Sequence, residues 1–378
     1  MLTGKVVGAV AATVMTALGG LGSTGDGAPD LGSAAPDSAP RASYVNAVTV
    51  PNDLSFDGQL VGGLSGIDYA ADLDEYVTIS DNRGESGPVR LYTHRLPIVD
   101  GKLTAPQFDT LVPLLDTTGG PYAPRAADTE SVRWTPDRTG YLYTSEGEAK
   151  RGVGGFIREA TRDGHVVRDL PLPDAFQPKL DGAGTPVSGI RDNLGFEAMA
   201  LSKDGATVTA VSENALVQDG PEASPTTGSP SRLVRIDRAG GRDLGEYVYP
   251  VDQVPAPADA KPGTYTNGVA EIIPAGPDSY LTLERNFVLG KGFSGKIYWT
   301  TTAGAESVTG KAAITGSERP MTKKLVFDFA SLGADSDCIE GMTWGPRLPD
   351  GSRSLVLAAD NNFGLAGRTT FHLLAVAG

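Results

Sequence analysis

Two carboxylates, Glu130 and Glu146, stand sixteen residues apart in "DTESVRWTPDRTGYLYTSEGE" (residues 128–148), a stretch patterned as strand, turn and strand. Antiparallel strands joined by a turn bring the start of the first beside the end of the second, so these two acids become neighbours. Neighbouring carboxylates repel unless a cation sits between them, and a carboxylate left ionised can serve as a base. The chain makes the same arrangement four more times: "LSGIDYAADLDEYVTISDNR" (64–83), "FEAMALSKDGATVTAVSENA" (196–215), "VAEIIPAGPDSYLTLERNF" (269–287) and "IEGMTWGPRLPDGSRSLVLAADNNF" (339–363). Ser65, Glu130, Glu197, Glu271 and Glu340 mark the first strands' starts, and Asp81, Glu146, Glu213, Glu284 and Asp360 the second strands' ends.

Elements that could hold ten such positions together follow from the spacing. The first set recurs every 65 to 74 residues, longer than a minimal propeller blade but suited to one with generous loops. Each interval has room for two further strands, such as "GGFIREATRDG" and "HVVRDLPLP" after Glu146 or "SRLVRIDRAGG" and "RDLGEYVYPV" after Glu213. The expected fold is therefore all-β, a single β-propeller of five four-stranded blades, or six if a long insertion hides a divergent one. The last unit stops at its third strand, "TTFHLLAVAG", and "YVNAVTVPNDLSF" (44–56) can supply the fourth, closing the ring and removing open sheet edges. Forty-nine Gly and 27 Pro among short Val/Tyr/Leu/Thr runs agree with an all-β chain.

Propeller inner strands line a central channel, so all five acid pairs would gather at one mouth, with nine carboxylates and Ser65 in a small space. Crowded oxygen ligands without histidine suit Ca²⁺, which takes six to eight of them. Asp81, Glu130, Glu146, Glu197, Glu213, Glu271, Glu284, Glu340 and Asp360 are accordingly the metal-ligand candidates. Long connections such as "LDTTGGPYAPRAAD" and "DAFQPKLDGAGTPVSGIRDNLG" fall at the acid end and bring Arg83, Arg125, Lys150, Arg151, Arg191, Arg285 and Arg368 near it. For each cation alone, a solvated loop charge is the competing reading. Asn82, Asn286, Asn361 and Asn362 follow the second-strand acids as turn formers or supporting amides. His94, His165 and His372 fall away from the acid face, which argues against a Ser-His triad or a His-bound zinc there.

The net charge of −14, from 46 acidic and 32 basic residues without a basic run, excludes nucleic acid as a partner. Residues 1–22 hold Lys5 and an apolar run from Val6 to Leu18, of signal-peptide length, with an uncleaved anchor as the alternative. Residues 23–42 are rich in Gly, Ala, Pro, Asp and Ser and suit a disordered linker with the cleavage region, leaving 43–378 as the propeller domain. A secreted monomer without a membrane span after signal removal is expected. One cysteine, Cys338, excludes an internal disulfide and fits a small buried filler.

"DTESV" (128–132), "DNLGFEAMALSKDG" (192–205), "YLTLERNF" (280–287), "IEGMTW" and "LAADNNFG" (339–364) together make the chain from about residue 45 onward resemble the phytase-like secreted proteins, the family named for esterase-like activity of phytase. That resemblance implies a propeller, ester or phosphoester hydrolysis, and a metal-assisted attack of water. It would make Glu197, Glu130 and Glu340 the catalytic carboxylates, with Glu197 as base. Arg83, Arg191, Arg285 and Asn193 would grip a small anionic or phosphorylated substrate. Two other functions fit the same mouth: a ligand- or cell-wall-binding propeller with structural calcium, and a propeller lactonase or carboxylic esterase. Ser65 departs from the pattern in unit one, and units three and four lack the Glu-Gly pair seen at 340–341.

Overall fold

Short runs of alternating apolar and polar residues, broken by Asp, Gly and Pro turns, pair into five four-stranded antiparallel sheets arranged as propeller blades. The computed structural model describes residues 40–333 and 336–377. From inner to outer strand, blade one is Leu64–Ala70, Glu75–Ser80, Arg90–Arg95 and Gln107–Pro113. Blade two is Thr129–Trp134, Gly140–Ser145, Phe156–Thr161 and Val166–Leu170, and blade three is Ala198–Leu201, Thr207–Val211, Ser229–Asp237 and Asp243–Val251. Blade four is Tyr265–Pro274, Ser279–Val288, Gly292–Thr301 and Thr322–Asp328. Blade five runs Cys338–Arg347, Arg353–Asp360 and Thr370–Val376, and its outer strand is Ala42–Thr49. That closing strand pairs antiparallel with the third, Val48 opposite Phe371, as the sequence suggests.

Burial follows position in the blade. Every residue of Thr129–Trp134 is buried, whereas Gln107–Pro113 at a blade's outer edge is largely exposed. Apolar clusters lie between neighbouring blades and hold the ring together. Val77, Ile79 and Leu91 of blade one meet Val132, Trp134 and Tyr143 of blade two, and Leu283 and Trp299 of blade four meet Met342 and Leu357 of blade five. Blade five closes onto blade one through Val356 and Phe371 against Ile67 and Tyr92. Truncating one of these side chains to alanine costs about 2–5 kcal/mol.

One irregularity recurs at the inner strands and aims the site. The register slips between Leu64 and Gly66, between Thr129 and Val132, between Val269 and Glu271, and between Ile339 and Gly341. Such a bulge leaves a residue unpaired and re-aims its side chain. The unpaired residues are Ser65, Glu130 with Ser131, Ala270 and Glu340. The segments 1–22 and 23–39, expected to be a signal peptide and most of a linker, lie outside the described residues. Among the described residues no helix is long and apolar enough to cross a membrane.

Candidate metal centre at the channel mouth

Strand register decides which acids meet. Leu64, Thr129 and Ile339 lie opposite Ser80, Ser145 and Ala359, so the next residues, Asp81, Glu146 and Asp360, stand at one level, the first two just beyond the paired strands and Asp360 in the last pair, opposite Cys338. Backbone bonds repeat the pattern: Asp81 N–H donates to Gly63 O, Glu146 N–H to Asp128 O and Glu213 N–H to Gly195 O. In blade four, however, Val269 lies opposite Glu284 and Gly268 opposite Arg285. The spacing therefore misaligns this unit by one residue. Ala270, not Glu271, takes the place of Glu130 and Glu340, and Arg285, not Glu284, takes the place of Asp81 and Glu146.

The ring at the mouth accordingly holds seven of the nine expected carboxylates: Asp81, which is half-buried, and Glu130, Glu146, Glu197, Glu213, Glu340 and Asp360, which are buried. Asp128 joins them as an eighth that the sequence pattern does not single out. Oxygens of Asp128, Glu130 and Glu146 lie within 4.8 Å of one another, and so do those of Glu146, Glu197 and Glu213. Glycines make room for this crowding. A Cβ on Gly63, which has φ +64°, would lie 2.2 Å from Asp81 Oδ1, and one on Gly268 would lie 2.3 Å from Glu213 Cγ.

Donors do not match the number of acids. Glu146 accepts a bond of 2.9 Å from Gly195 N–H, and Arg83 Nη2 lies 2.7 Å from Asp128 Oδ2. Asp81 Oδ1, Asp128 Oδ1 and both carboxylate oxygens of Asp360 are buried without a hydrogen-bond partner among the described residues. Burial followed by like-charged neighbours pushes Asp81, Glu130, Glu146 and Glu197 well above the usual carboxylate range. Burial pushes Glu213, Glu340 and Asp360 up to about 7; Arg285 opposes this, most strongly for Glu213 and Glu340. Oxygen-only ligands with surplus negative charge and unpartnered buried oxygens fit a hard divalent cation.

Arg285 is largely buried in this ring, its side chain 14% exposed. Its Nη2 lies 3.3 Å from Glu213 and 3.9 Å from Glu197, and its Nη1 lies 3.5 Å from Glu340 and 3.7 Å from Cys338 Sγ. Arg285 was expected at the substrate; it sits among the ring carboxylates. The two displaced glutamates serve elsewhere. Glu271 lies deeper in the channel, 2.8 Å from Arg133 Nη2, and accepts bonds from Ser131 Oγ and the Met199 and Ile272 N–H groups. Glu284 points outward along its blade to Lys323 at 2.5 Å, Tyr249 Oη at 2.8 Å and Asn267 Nδ2 at 3.1 Å. Ser65 donates to the Thr129 and Glu130 carbonyls of the next blade.

The rim beside Asp128 carries Arg83, Arg125, Glu148, Asp192 and Asn193. Arg83 Nη2 donates to Asn193 Oδ1 at 2.6 Å, so two of the expected substrate contacts stand together. Arg191 does not join them: its guanidinium braces a loop through Ala215 O at 2.9 Å and Gly220 O at 2.7 Å. Arg125 and Arg151 are both paired with Glu148, Lys150 with Asp192, and Arg368 with Asp337. Asn82 and Asn214 tie loops through backbone partners, and Asn361 Oδ1 accepts from Gly63 and Phe363 N–H. His94 and His372 are buried away from the ring, and burial lowers them to about 3 and about 4. The signal for the blade-four shift was present in the asparagines: "DN", "EN" and "DN" at 81–82, 213–214 and 360–361 align with "RN" at 285–286.

Among solved structures, the chain resembles the periplasmic gluconolactonase PpgL of Pseudomonas aeruginosa at 13% identity and a TM-score of 0.34, over 83% of this chain and 88% of that one. It also resembles a protein of unknown function from Dyadobacter fermentans at 14% identity and a TM-score of 0.37, over 90% of this chain and 100% of that one. Likenesses this distant carry no functional argument. No curated protein matches the chain. Residues 59–363, which include every carboxylate of the ring, match the Phytase-like family, described as esterase-like activity of phytase, and the chain belongs to that family.

Proposed function

We propose that the protein is a secreted, calcium-dependent hydrolase of phosphoesters that works at the acidic channel mouth. The observation that carries this reading is the ring of buried carboxylates in which Asp81 Oδ1 and Asp128 Oδ1 face no donor. Asp81, Asp128, Glu130 and Glu146 would hold the cation. Bound calcium would supply charge neutralisation at the phosphate and a polarised water for attack on phosphorus. Arg83, steadied by Asn193 and Asp128, stands at the rim where a phosphate oxygen would arrive, and its planar fork suits that group. Glu197, or Glu130 or Glu340 in the same ring, would accept the water's proton as the P–O ester bond breaks and the alcohol departs. The family's description supports ester hydrolysis in general.

One observation favours a second reading. The rim cations Arg83, Arg125, Lys150 and Arg151 are all paired with acids, which leaves little spare positive charge for a highly phosphorylated substrate. An uncharged ester such as a lactone needs no such charge. Phosphate release from a panel of phosphoesters, and ring opening of a lactone, measured with calcium and with chelator, tests both. The expected outcome is calcium-dependent phosphate release that falls by about 10²–10⁴ in Glu197→Gln. Absence of calcium-dependent turnover of every phosphoester would sink the first reading, and lactone opening alone would establish the second. Export is checked by the N-terminal residue of protein recovered outside the cell, expected within or after residues 22–42.

A further inference from the structure

The two sides of the mouth are built differently. On the side of blades one and two, Asp128, Glu130 and Glu146 converge with Asp81 as a charged neighbour, and Arg83 reaches Asp128 from the rim. On the side of blades three to five, Glu197, Glu213 and Glu340 surround the guanidinium of Arg285. Arg285 occupies the position at which every other blade presents an acid.

We infer that Arg285 is a built-in cation that stands where a second divalent ion would otherwise sit, so that the mouth binds one divalent cation, on the side of Asp81, Asp128, Glu130 and Glu146. This rests on reading the mouth as a metal centre. Three observations support the division. The guanidinium contacts run from 3.3 to 3.9 Å and are spread over three carboxylates, two from blade three and one from blade five, the arrangement of a central ion and not of one bidentate pair. A guanidinium cannot lose its charge at accessible pH, so it repels any divalent ion placed among the same oxygens. Unpartnered buried oxygens lie at Asp81 and Asp128, where no buried arginine substitutes for an ion, and at Asp360 of blade five, the blade that closes onto blade one. Glu146, grouped with both sides, would be shared between the bound ion and the Arg285 half.

The test counts calcium ions on the full chain by equilibrium dialysis and calorimetry, with wild type, Arg285→Glu, which restores the acid of the other blades, and Arg285→Gln. Wild type should bind one ion and Arg285→Glu two. Arg285→Gln should show a larger calcium-induced rise in Tm than wild type, because its carboxylates lose their internal cation. If Arg285→Glu fails to fold in chelator, it is refolded in calcium and its ions are counted in that state. Two ions in wild type, or no additional ion in Arg285→Glu together with an unchanged calcium response in Arg285→Gln, overturns the inference and leaves the metal centre standing. No bound ion in wild type sinks the metal centre itself.

Discussion

Glu130 and Glu271 both lie on inner strands at a register slip and are both buried, yet they live in opposite electrostatic surroundings. Glu271 has a partner for nearly every lone pair: Arg133 from blade two, the Ser131 hydroxyl, Met199 N–H from blade three and Ile272 N–H. Arg133 in turn donates to Ile67 O of blade one and Ile272 O of blade four, so the pair pins four blades across the channel. Arg133 and the backbone donors pull against burial, and Glu271 is held at about 7. Around Glu130 the neighbours are Glu197, Asp128, Asp81 and Glu146, all of which add to what burial does. Burial of a carboxylate is thus common to both sites. What separates a structural acid from a ligand candidate is whether the fold itself supplies the compensating donors.

Four measurements would break or sharpen that contrast. The largest effect is expected from Arg133→Met, which leaves Glu271 charged and unpaired; unfolding in urea should show a loss of about 3–5 kcal/mol that calcium does not restore. Recovery by calcium would erase the distinction between the Glu271–Arg133 pair and the mouth. Next, Asp81→Asn should behave oppositely. In chelator it should match or exceed wild-type stability because one repelling charge is gone. In calcium at a hundredfold excess over Kd it should forfeit much of the roughly 2.7 kcal/mol that binding contributes.

A third measurement uses pH. Glu213, Glu340 and Asp360 have folded-state values raised to about 7, above their unfolded ones, so protonation favours the folded state. Their contribution in chelator is full below the unfolded carboxylate range and is lost as pH rises towards 7, by up to about 1.4 kcal/mol per unit for each group. Calcium requires the ionised oxygens. The gap between unfolding free energies in calcium and in chelator should therefore widen from pH 4.5 to 7, and a constant gap would contradict the ring's role. The smallest effect belongs to Glu284→Gln, which loosens the bonds to Lys323 and Tyr249 for about 1 kcal/mol and should leave calcium affinity unchanged. A weaker calcium affinity there would return Glu284 to the mouth.

Much of this organisation is legible in the chain because the repeat is long and its punctuation regular. The hairpin 128–148, its four further copies and the closing strand all follow from turn residues and alternation, which are local properties. Register is not local. Whether Glu271 or Ala270 leaves the ladder depends on where the bulge falls, and a slip of one residue exchanges the side chains facing the mouth for those facing the channel or the blade. Asp128 was missed for a related reason: it precedes the inner strand, and only the backbone bond from Glu146 N–H to its carbonyl shows that it stands at the level of the ring. Arg285 was noticed as a charge near the mouth, but its place inside the ring requires the pairing with Gly268.

The clasp between residues 42–49 and 370–376 also sets an order of events. Blade five, which contributes Glu340 and Asp360, has its fourth strand only when segments from opposite ends of the described chain meet, a contact of very high sequence separation. A chain delivered from its N-terminus forward must keep its earliest strand unpaired until the latest one arrives. The acidic mouth is therefore finished at the same moment as the ring, and a cation captured there would lock assembly at its last step.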